Sequence, residues 1–147
     1  MGNAIKWFTQ GKIGHVDAIC DGGLLLGSQE AKNLGGKPSG VQIRPQEYGN
    51  LRNKIIVHLD VTEEQHGIFW KFLLAQIGKP YDIYAIAGFI FNRDWQKDDA
   101  WFCSELIAAA LQEAKIVKRL MAPNNKITPQ ELLLICSAIV DIDNNSN

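Results

Sequence analysis

Between Trp101 and Ala114 the chain sets small or apolar residues at 103, 106, 107, 110, 111 and 114, the three- and four-residue spacing of a helix with one buried side. The rest of the chain is arranged around that helix, and Cys103 heads its stripe. A thiol at a helix N-terminus meets unpaired backbone N–H groups and the positive end of the helix dipole, which favour an anion and so make a nucleophile of the sulfur. The competing assignment is a small buried hydrophobe, because free cysteine is among the most buried residue types.

Composition narrows the classes. The 147 residues, 46% hydrophobic and 21% charged, suit one soluble domain over 1–147 with its own core. A polar tail from about Asp141 is expected to fray. A formal net charge of −1 provides no field to hold nucleic acid or an anionic membrane without specificity. Cys20, Cys103 and Cys136 are odd in number, far apart and free of Cys/His spacing, which argues against a disulfide framework and a zinc site and points to a reducing compartment. The first residues do not form a signal peptide, no apolar run approaches the ~18 residues of a membrane span, and Met1-Gly2 lacks a myristoylation pattern. Cytoplasmic synthesis without membrane insertion is the expectation. Phosphate-loop, HExxH and G-x-S-x-G patterns are absent, so neither a cofactor nor a metal is expected.

Residues 1–12 show no clear period and are expected to form a lead-in segment or short helix. Gly14–Cys20 and Leu24–Ser28, joined by Asp21-Gly22-Gly23, predict a β-hairpin with His15 on its first strand. A loop over 29–39 and a short strand over 40–44 follow. Lys54–Asp60 alternates as a central strand with Ile55, Val57 and Leu59 on one face and His58 on the other. Thr62 followed by Gln65 is a capping-box pattern that opens a helix to Gly78. Ile83–Phe91 predicts a shorter helix, Asn92–Asp99 a polar connection, and Pro123–Lys126 a loop. Thr128-Pro129 supplies a cap and a first-turn proline for a last helix, with Ala138–Val140 as its end or a strand.

A cysteine nucleophile needs a base, and only His15, His58 and His66 are available. His66 falls on a helix surface and His58 on an outward strand face. His15 lies among apolar residues, where an imidazole must have a partner. The hairpin turn sets that partner. A two-residue turn opposes His15 to Ser28, a three-residue turn to Gln29, and a turn at Gly22-Gly23 to Glu30. Ser28 and Gln29 are the preferred orienting residues.

In order along the chain, Gly14-His15-Val16, Gly78-Lys79-Pro80-Tyr81-Asp82, Phe102-Cys103-Ser104-Glu105-Leu106-Ile107 and Ile127-Thr128-Pro129-Gln130-Glu131-Leu132 together resemble the NlpC-type cysteine peptidases. The similarity is to their circularly permuted, papain-like branch, which includes YiiX/YebB-like proteins and lecithin:retinol acyltransferase. It spans residues 14 to about 132. The resemblance implies an α+β, permuted papain-like fold in which the cysteine helix packs on a small antiparallel sheet. It also implies attack by Cys103 after His15 takes its proton, an oxyanion hole that uses the Cys103 N–H, and substrate contacts from Tyr81 and Ser104. Peptidoglycan-cleaving relatives commonly have Asp before the cysteine and Gly two after it, where this chain has Phe102 and Glu105.

The expected activity is a thiol hydrolase, a cysteine peptidase or amidase cutting a cell-wall peptide or isopeptide bond through an acyl-enzyme. An acyltransferase or thioesterase with the same Cys–His pair, and a non-catalytic binding domain, are the alternatives. Peptide or acyl groups are the expected partners.

Overall fold

A computed structural model of the protein describes residues 3–10, 14–30, 38–48, 54–82, 100–118 and 127–144. Five strands, β1 (Asn3–Gln10), β2 (Val16–Ile19), β3 (Leu25–Gln29), β4 (Gly40–Arg44) and β5 (Lys54–Val61), form one sheet in the order β4-β3-β2-β1-β5. All four pairings are antiparallel. Three helices complete the described part: α1 (Glu63–Ala75), α2 (Cys103–Glu113) and α3 (Pro129–Asn144). The architecture is α+β.

Local chemistry explains most of these elements. The Thr62 side chain accepts from the Gln65 N–H while the Gln65 side chain accepts from the Thr62 N–H, so two orphan donors of α1 are satisfied reciprocally. Thr128 and Glu131 repeat the exchange at the start of α3, where Pro129 sits in the first turn and needs no N–H partner. In α2 every residue of the 103, 106, 107, 110, 111, 114 stripe is buried. That side of the helix meets Val16, Ala18 and Leu26 of the sheet and Phe69 and Leu73 of α1 in one continuous core. Val57 and Leu59 of β5 join the same core, while Ile56, His58 and Asp60 between and beside them are exposed.

Three expectations are corrected. Residues 3–10 are a strand, and an interior one. β1 pairs with β2 along one side and with β5 along the other. β5 accordingly lies at the edge of the described sheet rather than in its centre, and Ile55 is 45% exposed rather than sharing the buried face of Val57 and Leu59. Residues 138–140 belong to α3, the helical one of the two alternatives, and the helix runs on to Asn144, beyond its expected end. The expected helix over 83–91, the polar connection over 92–99 and the loop over 123–126 lie outside the described residues.

Candidate active site

The hairpin that carries His15 turns through Asp21–Gly23, a single turn of 3-10 helix closed by Cys20 N–H to Leu24 O (2.7 Å) and Gly23 N–H to Cys20 O (3.0 Å). Gly22 and Gly23 both have φ near +80°, a conformation in which a side chain would be strained. The three-residue turn pairs Ala18 with Leu26 and Ile19 with Leu25, a register that continues to Gln29 opposite His15. β2 itself begins at Val16, so His15 stands just before the strand.

The imidazole is nevertheless held by a different residue. His15 Nε2 lies 3.0 Å from Asp17 Oδ2, two residues along its own strand. Both side chains are buried, Asp17 completely. Val16 and Ala18 point into the helix-covered core. Asp17 alternates to the other side, where Tyr48 covers it from the one-turn 3-10 helix Gln46–Tyr48 after β4. The Tyr48 hydroxyl donates to Asp17 Oδ2 (2.5 Å) and also lies 2.9 Å from His15 Nε2. Gly27 makes room for the carboxylate, because a Cβ at that position would stand 1.8 Å from Asp17 Oδ1.

Arg44 completes the surroundings of the carboxylate. Its guanidinium donates to the carbonyls of Gly27, Pro38 and Gly40 and lies over the Tyr48 ring at 5.4 Å. Burial lowers its pKa, while Asp17 and Tyr48 work in the opposite direction.

Cys103 is the first residue of α2, 1% exposed, with its sulfur near enough to His15 to help raise the pKa of the ring. Its position is fixed from both sides. Ser28 Oγ donates to the Trp101 carbonyl (2.6 Å), Trp101 bridges Tyr81, and the Phe102 N–H donates to Glu105 Oε2 (3.2 Å). Burial of the imidazole opposes its charge, but the Asp17 carboxylate and then the Cys103 sulfur outweigh it, and the His15 pKa is pushed up to about 10. Glu105 is pushed up to about 7 by burial, with Asp82 adding to the shift and the Phe102 N–H resisting it.

The other residues expected at the site fall as follows. Ser28 is engaged with Trp101 and ties β3 to the segment that leads into α2. Gln29 accepts from the Glu30 N–H and interacts with Tyr48, so it reaches the histidine only through the phenol. The carboxylate that sits directly on the ring belongs to Asp17, while Ser28 and Gln29 make their hydrogen bonds away from the imidazole. Tyr81 stands near Cys103 and stacks beside Phe102 at 5.8 Å; burial and then the Cys103 sulfur raise its hydroxyl pKa. Ser104, expected to bind substrate, is fully buried and donates to the Ile127 carbonyl (2.5 Å), which makes it a link between α2 and the approach to α3. His66 accepts from Trp70 Nε1 one helical turn on (3.1 Å), and His58 is exposed.

Asp17 could have been found from His15-x-Asp17 alone, since residues two apart on a strand share a side. Tyr48 carries no such signal. It arrives through a turn whose path depends on β4. A thiol at a helix start beside an imidazole held by a carboxylate can pass a proton between sulfur and nitrogen. Among the described residues no group of three or more His, Cys, Asp or Glu side chains is arranged to hold a metal ion, and no helix is long and apolar enough to cross a membrane. No family model, no curated protein and no solved structure matches the chain.

Proposed function

We propose that the protein is a cysteine hydrolase of the permuted papain-like kind, with Cys103 as nucleophile, His15 as general base and acid, and Asp17 as the residue that orients the ring. The observation that carries this reading is the buried histidine that meets the Asp17 carboxylate at 3.0 Å and feels the Cys103 sulfur at the start of α2. With Nε2 engaged by Asp17 and Tyr48, Nδ1 is the nitrogen that serves the sulfur. With the second ring proton released, His15 takes the proton of the thiol, the thiolate adds to a carbonyl carbon, and the oxyanion is stabilised by the Cys103 N–H at the helix start. His15 returns the proton to the leaving amine, and water then releases the acyl group from sulfur with His15 as base.

Amide bonds of a peptide or isopeptide are the proposed substrates. Phe102 and Glu105 replace the residues that flank the cysteine in peptidoglycan-cleaving relatives. Glu105 is buried and caps α2, so it offers no contact to a cell-wall peptide. The same acyl-enzyme could be passed to an acceptor other than water, which is the acyltransferase or thioesterase reading.

The test is alkylation of the folded protein by iodoacetamide near neutral pH, with peptide mapping of the modified residue, followed by assay on matched amide and ester substrates. Cys103 should react ahead of Cys20 and Cys136, whose thiols burial holds above the ordinary range, Cys136 at about 12. That preference should disappear in His15→Ala. Labelling that ignores His15, with neither substrate turned over, leaves a binding domain.

A further inference from the structure

The Cys103–His15–Asp17 reading leaves one buried polar group without a task. Tyr48 is 7% exposed, and its ring packs with Leu25 and Ile19 in a small cluster separate from the main core. A phenylalanine would fill that cluster equally well. The hydroxyl instead closes a triangle, 2.5 Å from Asp17 Oδ2 and 2.9 Å from His15 Nε2, whose third side is the 3.0 Å His15–Asp17 contact.

A phenol has one proton, and the shorter side gives it to Asp17. Its oxygen is then free to accept from His15 Nε2–H. Arg44, which lies over the phenol ring, and Gln29 of β3 work against the phenol's proton, and burial and the Asp17 charge outweigh them. The phenol's pKa is raised, so it stays protonated and remains a donor.

We propose that Tyr48 is a positioning residue of the Cys103–His15 pair, whose hydroxyl anchors the Asp17 carboxylate and draws off part of its charge so that the imidazole can release its proton. The consequence rests on electrostatics. A bare carboxylate 3.0 Å from an imidazolium in a buried site would hold the second ring proton too firmly for it to reach a leaving group. A hydrogen bond donated to that carboxylate weakens the hold without removing the orientation. The charged and titratable groups bearing on the ring are Asp17 from its own strand and Cys103 from α2. The Tyr48 hydroxyl touches both the ring and the carboxylate, Arg44 acts through Asp17, and Tyr81 is within electrostatic reach of the sulfur.

The role in turnover depends on the hydrolase reading, but its physical basis is read without a substrate. The His15 ring resonances are titrated by NMR in the wild type, Tyr48→Phe, Asp17→Asn and the double variant. Tyr48→Phe should raise the His15 midpoint by about 0.5 to 1, because the carboxylate regains its full charge. Asp17→Asn should lower it, and Tyr48→Phe should no longer raise it on that background, since the upward effect of losing the phenol passes through the carboxylate. A monofluorinated tyrosine placed at position 48 alone keeps the ring and makes a stronger donor, so it should move the midpoint down, and it serves where Tyr48→Phe does not fold. A midpoint unmoved or lowered by Tyr48→Phe, unmoved or raised by the fluorinated ring, or shifted equally with and without Asp17, overturns the proposal. A wild type that titrates as expected yet turns over no amide or ester sinks the hydrolase reading and leaves the positioning inference standing.

Discussion

Asp17 Oδ2 lies 3.0 Å from His15 Nε2 with only Val16 between the two residues in the chain. The imidazole and its carboxylate are therefore a local unit, formed at one strand end. Only the cysteine has to be delivered by tertiary packing, through α2 and the Ser28–Trp101 contact that anchors its approach.

That local pair ties stability to pH. The His15 pKa is raised from 6.5 to about 10 on folding, so the folded state holds a proton that the unfolded state has lost across that window. The ion pair's contribution is complete below about 6.5 and is lost as pH rises toward 10. Chemical denaturation midpoints measured across that window should fall in the wild type. Asp17→Asn should flatten the fall, and an equal slope in both proteins would contradict the pairing.

Gly27→Ala should damage the site from beneath. The new methyl would stand 1.8 Å from Asp17 Oδ1, and Asp17 has to move or the strands must part. Overpacking of this kind costs about 1–3 kcal/mol. Hydrolysis per folded molecule should fall with it, and a stable, fully active Gly27→Ala would show that Asp17 is dispensable.

The three histidines should separate cleanly in kinetics. His15→Ala removes general acid–base catalysis, a loss of about a hundred- to ten-thousandfold. His58→Ala touches an exposed position, and His66→Ala loses the bond from Trp70 Nε1. Both should stay within a few-fold of wild type. Full activity in His15→Ala would identify the wrong base.

Ser104→Ala and Tyr81→Phe test opposite roles. Ser104 Oγ donates to a buried carbonyl, so its loss should lower stability by about 1 kcal/mol and leave KM and kcat unchanged. The Tyr81 hydroxyl is within electrostatic reach of the Cys103 sulfur, so on the hydrolase reading Tyr81→Phe should reduce turnover by roughly tenfold or more with little change in Tm. Exchanged outcomes would exchange the assignments.

The parts of this architecture that were legible before the structure are those whose signal is local. The stripe from Cys103 to Ala114, the Thr62–Gln65 cap and the Thr128-Pro129 start each depend on neighbours within a turn, and each forms where expected. β1 was not legible because its extended form is imposed by β2 and β5, the latter more than forty residues away. The carboxylate on the His15 ring is the exception, a local signal that the cross-hairpin expectation did not use. Attention went across the hairpin to Ser28 and Gln29, where register decides, while the partner stood two places along the same strand. Tyr48 depends on where β4 ends and could be found only in three dimensions.

The interior position of β1 sets the order in which a growing chain can become competent. The first strand to leave a ribosome must wait for β5 before its second side is paired, so the sheet closes late and through contacts distant in sequence. His15 and Asp17 emerge early, and Cys103 follows only after the whole sheet and α1. The His15 imidazole thus stays apart from the thiol until α2 is made, and the two meet only when folding has already buried both.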